Sequence, residues 1–320
     1  MGRSVCRWMD QIRIRAHSKI NLGLDVTGRR PNGYHDVRMV MQTLALCDDL
    51  TVSRRSDDRI LLSCHFADWS EQEERKYSAA AEIPTGADNL CVRAAEKMRQ
   101  AFSLTGGYDI GLYKRIPIAA GMAGGSTDAA AVLSAIAQIE NLPVDAKELF
   151  SIAETIGADV PFCLLGGTAL AEGIGEILTP LPPMPEMTVL VAKPNFSVST
   201  PECYRALDAL KRPQHPPIDF LVRAVCAGNT DGICSYAGNI LEQVTSPLHP
   251  EIRRIETIMT EGGARLAMMT GSGPTVFGLF DHADLEQARL TMAALRRSHL
   301  TEQLYLSRTF SPEKGDGERE

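Results

Sequence analysis

The chain has 320 residues, of which 44% are hydrophobic and 23% are charged, and its net charge at pH 7 is −7. This length favours two domains, and the composition is typical of a globular protein. The negative balance argues against a general nucleic-acid binder. Ser, Gly or charged residues interrupt every apolar stretch before the length of a membrane span, so we expect no membrane span.

The cysteines and the first residues give an expectation about the compartment. The eight cysteines are scattered without a C-x-x-C pair, so neither a zinc site nor a disulfide framework is indicated. Val5 and Cys6 stand next to Arg7 instead of within an apolar segment, and no signal peptide is expected. A reducing cytoplasm fits this pattern best.

Charge is unevenly distributed. Residues 1–38 carry a local charge of +5, which leaves −12 for the remainder of the chain. This basic segment could face an anionic small molecule, or it could be a solvated strand edge.

Apolar periodicity and turn signals predict mixed α and β structure without repeats. Strands are expected at 20–26, 108–114, 187–193 and 264–269, and helices at 89–102, 127–140, 145–157 (with Asp145 as N-cap) and 284–296. Residues 67–83 are polar and rich in Glu, which predicts a surface excursion, and the tail 311–320 lacks an apolar anchor, which predicts disorder.

The stretch PIAAGMAGGSTDAAAVLSAIAQI (117–139) carries a glycine-rich loop between a predicted strand and a predicted helix. Glycines allow backbone N–H groups to approach a ligand closely, and the first free amides of a helix attract anions. Neither common nucleotide-loop pattern can be drawn through the stretch. Taken alone, it indicates an anion cradle or a glycine turn capped by Ser126 or Thr127.

Four segments decide between these readings. The chain resembles the GHMP kinase superfamily in AHSKINLGLDVTGRRPNGYHDVRMVMQTLALCDDL (16–50), PIAAGMAGGSTDAAA (117–131), GADVPFCLLGGTALAEGIGE (157–176) and MTGSGPTVFGLF (269–280). The resemblance runs from about residue 12 to residue 310. Within the superfamily it is nearest to the branch that phosphorylates a cytidine diphosphate-linked methylerythritol in the non-mevalonate isoprenoid route.

The resemblance implies that the glycine loop wraps the phosphates of ATP and that Mg²⁺ accompanies ATP, with metal ligands that the sequence does not identify. Ser126 and Thr127 can bind phosphate or reach Mg²⁺. Asn89 and Lys114 match positions near adenine. The implied loop residues are Pro117, Ile118, Ala119, Ala120, Gly121, Met122, Ala123, Gly124, Gly125, Ser126 and Thr127.

Two charged residues match the catalytic positions of the family. Asp159 in GADVPF corresponds to the base that takes the proton of the acceptor hydroxyl, and Lys19 in SKINLGL corresponds to its assistant. A lysine within reach would keep the carboxylate ionised and help neutralise the transferring phosphoryl group. Considered singly, Asp159 could be a turn residue and Lys19 a solvated strand lysine.

The segment GRRPNGYHD (28–36) carries the expectation about the acceptor. The resemblance implies that Tyr34 stacks on cytosine and that His35 hydrogen-bonds its edge. The less favoured alternative is that P-N-G marks a turn and that the two rings only cover a hairpin. Asn21 shares a strand face with Lys19 and could bind the polyol. Thr200 and Gly271 match positions that line the substrate side.

Two residues depart from the family pattern. Ala123 and Asp128 stand where other members often have glycine and Asn or Ser. A carboxylate beside phosphates is unfavourable unless it contacts Mg²⁺ or turns away, and we interpret Asp128 as a first-turn helix residue.

The implied architecture is an α+β, two-domain GHMP kinase fold. It would comprise an N-terminal domain (10–172) like the second domain of ribosomal protein S5, a ferredoxin-like C-terminal domain (173–310) and an acidic tail (311–320). We expect a small-molecule substrate, no nucleic-acid or membrane partner, and a monomer or homodimer. The alternatives are a homoserine, mevalonate or galactose-type kinase, or a non-catalytic nucleotide-binding protein on this fold.

Overall fold

The computed structural model describes residues 10–66, 83–301 and 303–312. The predictions for 67–83 and 311–320 therefore lie almost entirely outside the described residues. The chain divides into two compact units, one of residues 1–16, 47–115 and 125–164, the other of residues 17–46, 116–124 and 165–320. The predicted division between residues 172 and 173 stays a prediction.

Two long strands, β1 (Gln11–Arg29) and β2 (His35–Arg55), contribute residues to both units. The first residues of β1 alternate between exposed and buried, but from Ser18 to Val26 every residue is buried. Alternation indicates a strand with one solvated face, whereas continuous burial indicates a strand covered on both faces. Polar residues within 18–26 are therefore enclosed by protein.

Besides its part of β1 and β2, the first unit contains two strands and four helices among the described residues. They are β3 (Ile60–Phe66), β4 (Gly107–Lys114), α1 (Leu90–Phe102), α2 (Gly124–Ile139), α3 (Ala146–Glu154) and α4 (Val160–Leu165). The second half of β2 pairs antiparallel with β4, which pairs parallel with β3. Helix α2 is apolar almost all round its circumference and lies in the core of this unit.

The second unit contains two sheets. Besides β1 and β2, its strands are β5 (Thr168–Glu172), β6 (Ile177–Leu181), β7 (Met187–Lys193), β8 (Gly238–Asn239), β9 (Leu266–Met269), β10 (Val276–Asp281) and β11 (Gln303–Arg308). The described strands of one sheet have the order β8-β1-β2-β5-β6, and those of the other have the antiparallel order β11-β7-β10-β9. Every residue of β7 is buried, which indicates that β7 is covered on both faces as well as paired with a strand at each edge.

The helices of the second unit lie along the chain between β7 and β11. They are α5 (Thr200–Asp208), α6 (Ile218–Cys226), α7 (Thr230–Tyr236), α8 (Glu242–Leu248), α9 (Pro250–Glu261), a 3₁₀ turn (His282–Asp284) and α10 (Leu285–Ser298). No helix among the described residues combines the length and the apolar character needed to cross a membrane. The seven cysteines within the described ranges are free thiols.

Most of the predicted elements are confirmed. The strand at 187–193 matches β7, and the helix predicted at 145–157 begins after Asp145, whose side chain caps it by accepting the Glu148 N–H at 2.8 Å. Helix α2 begins at Gly124, three residues before the predicted start, and α3 ends at Glu154, before the predicted Gly157. Strand β9 begins at Leu266 instead of Ala264.

Two carboxyl side chains of the second unit share a partly buried site. Glu242 of α8 and Glu256 of α9 are hydrogen-bonded to each other, and Glu242 Oε2 also accepts the Met269 N–H at 3.0 Å. Burial raises the pKa of Glu256 to about 8, the charge of Glu242 adds to the rise, and Arg253 opposes it. The folded protein therefore favours the protonated form of this carboxyl group.

This shift predicts a pH-dependent stability. The pKa of Glu256 is higher in the folded protein than in the unfolded chain, so the folded protein holds this proton more tightly. The resulting contribution to the free energy of unfolding is fully present below about pH 4.3 and is lost as the pH rises towards about 8. Glu256→Gln cannot ionise, so between pH 5 and 9 the free energy of unfolding should fall less in the variant than in the wild type, by on the order of 2 kcal/mol. Urea unfolding at several pH values measures this difference. Glu261→Gln, at an exposed position of the same helix, should follow the wild-type curve; parallel curves for wild type and Glu256→Gln would contradict the assignment.

Candidate active site

Lys19 and Asn21 lie side by side in the fully buried part of β1. The Lys19 Nζ donates to Asn21 Oδ1 at 2.8 Å, and the Lys19 side chain is only 5% exposed. The Asn21 N–H donates to Thr270 Oγ1 at 3.0 Å. The structure thus places the two residues on one strand face, as the sequence predicts, and holds the ammonium group beside a polar cluster instead of in solvent.

The glycine loop, residues 117–123, leads into α2 and is tied to the same strand. The Lys19 N–H donates to the Met122 carbonyl at 3.2 Å. Ala119, Gly121 and Ala123 have φ values of 51°, 70° and 59°, in the left-handed region. Such alternating backbone turns several N–H groups towards one side, which is the geometry of anion-binding nests.

Two positions in this loop differ in what they require. A Cβ on Gly121 would lie 2.7 Å from the Thr270 carbonyl oxygen, so the backbone approaches too closely for any side chain. Ala123 tolerates the left-handed region at a cost of about 1 kcal/mol. That conformation explains why glycine suits the position where this chain has alanine.

The loop at residues 270–274 gathers further predicted residues. The hydroxyl groups of Thr200 and Ser272 are hydrogen-bonded at 2.8 Å, and Asn239 Nδ2 donates to the Gly271 carbonyl at 2.8 Å. Gly271 has a φ of 58°, and a Cβ there would lie 3.1 Å from the Gly121 carbonyl oxygen. The 270–274 loop therefore brings Thr200 and Gly271 into one cluster with the glycine loop and Asn21.

Tyr34 and His35 follow a tight turn between β1 and β2. Tyr34 is 60% exposed, so the residue is accessible to a ligand. His35 is enclosed by α5: its Nε2 lies 2.8 Å from Asp208 Oδ1, and its ring centroid lies 4.7 Å from that of Tyr204. Arg29 Nη1 lies 3.4 Å from the second oxygen of Asp208.

Asp159 belongs to the first unit, between α3 and α4. Its carbonyl accepts the Cys163 N–H at 3.1 Å, which makes it the residue at which α4 starts. The side chain is half-buried. Asp159 and Lys19 belong to different units, and their joint action stays part of the proposal below.

Asn89, predicted to lie near adenine, has a structural role in the first unit. It caps α1: Oδ1 accepts the Cys91 N–H at 2.8 Å, and Nδ2 donates to the Pro84 carbonyl at 2.7 Å. Its predicted contact with adenine stays a prediction.

Lys114, the second predicted adenine residue, forms a buried ionic cluster. Its ammonium donates to Asp48 Oδ2 at 2.5 Å and to Asp128 Oδ2 at 2.7 Å. Burial raises the pKa of Asp128 to about 8, because Lys114 compensates only part of the desolvation and Asp48 repels a second charge. Burial opposes the charge on Lys114, but Asp128 and Asp48 outweigh it and raise its pKa. The prediction that Asp128 is a first-turn residue is wrong, because α2 begins at Gly124 and its first turn contains no acidic residue. Asp128 follows that turn, and its side chain accepts from Lys114.

The hydroxyl groups at the start of α2 fit a magnesium ion that binds together with ATP and is held mainly by its phosphates. The described residues contain no group of three or more His, Cys, Asp or Glu side chains that could hold a metal. Mg²⁺ commonly takes most of its ligands from phosphates and water and few from protein. The hydroxyl groups of Ser126 and Thr127, at the start of α2, are oxygen donors of the kind this ion prefers.

Four residues of this arrangement were not predicted from the sequence: Thr270, Ser272, Tyr204 and Asp208. Thr270 and Ser272 stand in the quoted TGSGP motif, so their hydroxyl groups were a usable signal. Asp208 is 173 residues from His35, and no local pattern connects the two.

Comparisons with known proteins match this chain to the two domains of one kinase family. The GHMP kinases N terminal domain model matches residues 89–167, and the GHMP kinases C terminal model matches residues 221–296. A 4-diphosphocytidyl-2-C-methyl-D-erythritol kinase of Lachnospira eligens is 44% identical over 304 residues, 95% of this chain and 100% of the relative. One of Alkaliphilus metalliredigens is 42% identical and covers 96% of this chain and 100% of its own.

This chain belongs to the 4-diphosphocytidyl-2-C-methyl-D-erythritol kinase family of the GHMP kinases. A crystal structure of a 4-(cytidine 5'-diphospho)-2C-methyl-D-erythritol kinase matches with a TM-score of 0.75 at 34% identity, over 94% of this chain and 100% of that one. Homoserine kinase from Cytophaga hutchinsonii matches with a TM-score of 0.74 over 97% of each chain, but at 18% identity it shows the fold alone.

Family membership confirms two expectations from the sequence. The chain has the two-domain GHMP kinase fold with mixed α and β content, and it is an ATP-using kinase with an alcohol acceptor. The roles of the individual site residues stay predictions.

The glycine stretch offers a matched pair of substitutions. A Cβ on Gly125 would meet only Leu90 Cδ1, at an ordinary 3.6 Å, and alanine suits a helix better than glycine. Gly125→Ala should therefore fold at least as stably as the wild type but raise the KM for ATP by roughly tenfold or more, because the methyl group would stand where phosphates approach backbone amides. Gly121→Ala should instead lose about 2 kcal/mol or more of stability. Urea unfolding and ATP kinetics separate the two effects; an unchanged KM for ATP in Gly125→Ala would return the stretch to a simple turn.

Proposed function

We propose that this chain transfers the γ-phosphoryl group of ATP to the 2-hydroxyl of 4-diphosphocytidyl-2-C-methyl-D-erythritol, a step of non-mevalonate isoprenoid precursor synthesis. The names of the family relatives support this acceptor. The observation that carries the proposal is the buried cluster in which Lys19, Asn21 and Thr270 adjoin the glycine loop. Phosphoryl transfer depends on positioning and charge stabilisation, and this cluster provides a fixed cation and fixed hydrogen-bonding groups.

ATP is held by the glycine loop and the start of α2 in this proposal. Backbone N–H groups of residues 118–123 and the positive end of the 16-residue helix face the phosphates. Ser126 and Thr127 bind phosphate or Mg²⁺, and the metal supplies neutralisation of the charge on the phosphates. Asn89 and Lys114 stay assigned to the adenine side.

Asp159 acts as the base. It accepts the proton of the acceptor hydroxyl, the hydroxyl oxygen bonds to the γ-phosphorus, and the bond from that phosphorus to the leaving oxygen of ADP breaks. The Lys19 ammonium stabilises the charge that develops on the transferring group. A non-catalytic protein on this fold would have no need to retain both residues.

The acceptor is recognised in two parts. Tyr34 stacks on cytosine and His35 hydrogen-bonds its edge, while Asn21, Thr200 and Gly271 contact the polyol. The exposed Tyr34 ring and the linkage of Thr200 to the 270–274 loop support this division. We place the enzyme in a reducing cytoplasm because its described cysteines are free. The assignment as a monomer or homodimer stays a prediction.

The role of Asp159 is tested by Asp159→Asn. The amide cannot accept the proton, so kcat should fall by roughly 10²-fold or more while the Kd for ATP changes less than a few-fold. Steady-state kinetics with the cytidyl acceptor and ATP titration measure the two quantities. Glu154→Gln serves as the control, because it removes one negative charge, as Asp159→Asn does, at an exposed position at the end of α3. It should leave kcat and the Kd for ATP unchanged. A variant that turns over within a few-fold of wild type would show that Asp159 is not the base.

A further inference from the structure

His35 is held by groups that the sequence motif does not contain. Its ring packs against Tyr204 in the middle of α5, and its Nε2 lies 2.8 Å from the carboxylate of Asp208, the last residue of that helix. The His35 side chain is 9% exposed and Asp208 is 30% exposed. Arg29 Nη1 lies 3.4 Å from Oδ2, the other oxygen of this carboxylate. The imidazole is therefore fixed in both plane and position.

The carboxylate also decides which ring nitrogen carries the proton. A carboxylate accepts hydrogen bonds and donates none, so the His35 Nε2 must be the protonated nitrogen that donates to Asp208. In a neutral imidazole the Nδ1 is then bare and acts as an acceptor. Within the described residues, Nδ1 has no hydrogen-bond partner in the protein.

An acceptor at this place distinguishes two pyrimidines. Cytosine carries an amino group at position 4, which donates, whereas uracil carries a carbonyl oxygen there, which accepts. We infer that Asp208 is a positioning residue that fixes the tautomer of His35 and thereby makes the site select a cytidyl over a uridyl acceptor. This inference rests on the proposed function, since it assigns the pyrimidine to His35.

The stacking contact cannot make this distinction. Every base has a π-face, so a ring stacked on Tyr34 would bind cytosine and uracil alike. Removal of the stack and removal of the tautomer control therefore have different signatures. Removal of the stack lowers kcat/KM for both acceptors together, whereas removal of the tautomer control changes the ratio of the two kcat/KM values.

The kinetic experiment compares kcat/KM for the cytidyl acceptor and its uridyl analogue at saturating ATP. In Asp208→Asn the amide can donate to or accept from Nε2, so both tautomers become available, and we expect the preference for the cytidyl acceptor to fall about tenfold. Tyr34→Ala should weaken both acceptors by roughly 10- to 100-fold and leave their ratio unchanged. Glu202→Gln removes one negative charge, as Asp208→Asn does, but at an exposed position of α5. It should change neither the kcat/KM values nor their ratio.

The outcomes separate this inference from the proposed function. If the wild type phosphorylates neither acceptor, the proposed function fails and the inference with it. If the wild type prefers the cytidyl acceptor but Asp208→Asn lowers both acceptors in proportion, or changes neither, Asp208 does not set the selectivity and the inference alone is overturned.

A spectroscopic measurement tests the tautomer without turnover. Nitrogen-15 chemical shifts distinguish a protonated from a bare ring nitrogen, and pH 8 lies above the ordinary pKa of histidine. We expect His35 to show a protonated Nε2 and a bare Nδ1 in the wild type, and a mixture in Asp208→Asn. A protonated Nδ1 in the wild type at pH 8 would overturn the inference, whatever the stability of the variants.

Discussion

The site of the second unit depends on the close approach of two backbone segments. A Cβ on Gly121 of the glycine loop would lie 2.7 Å from the Thr270 carbonyl oxygen, and one on Gly271 of the 270–274 loop would lie 3.1 Å from the Gly121 carbonyl oxygen. This contact places the Met122 carbonyl, which accepts from Lys19, next to Thr270, which bonds Asn21. The ammonium of Lys19, the proposed phosphate loop and the proposed acceptor loop are thus positioned by one packing constraint. A change that separates the two backbones would affect all three.

Burial of this cluster has two opposite effects: it disfavours the charge on Lys19, and it strengthens the interaction of that charge with a bound phosphoryl group. A buried ammonium is unfavourable unless hydrogen bonds replace water, and Asn21 provides one to Lys19. In return, protein surrounds the cation, where its interaction with a phosphoryl group is screened less than in water. The first unit also buries an ammonium group, that of Lys114, which donates to the carboxyl groups of Asp48 and Asp128, and burial there raises the pKa of Asp128.

The sequence predicted elements best where local rules decide. Asp145 caps α3 as expected, and the apolar run at 187–193 forms the central strand β7. The start of α2 was placed too late, because two glycines are weak helix formers and resemble a loop. Asn89 shows a different limit, because the motif that predicts a contact with adenine gives no sign that this side chain also caps α1. The pairing of His35 with Asp208 joins residues far apart in the chain and had no signal at all.

The acceptor preference of the wild-type protein tests the central claim most directly. With ATP and Mg²⁺, ADP formation is measured in parallel with 4-diphosphocytidyl-2-C-methyl-D-erythritol, mevalonate and homoserine, and phosphorus-31 spectra locate the new phosphate on the product. The account predicts a kcat/KM for the cytidyl acceptor on the order of 10²-fold or more above the others, with the phosphate on the 2-hydroxyl. Equal or greater turnover of mevalonate or homoserine would contradict it.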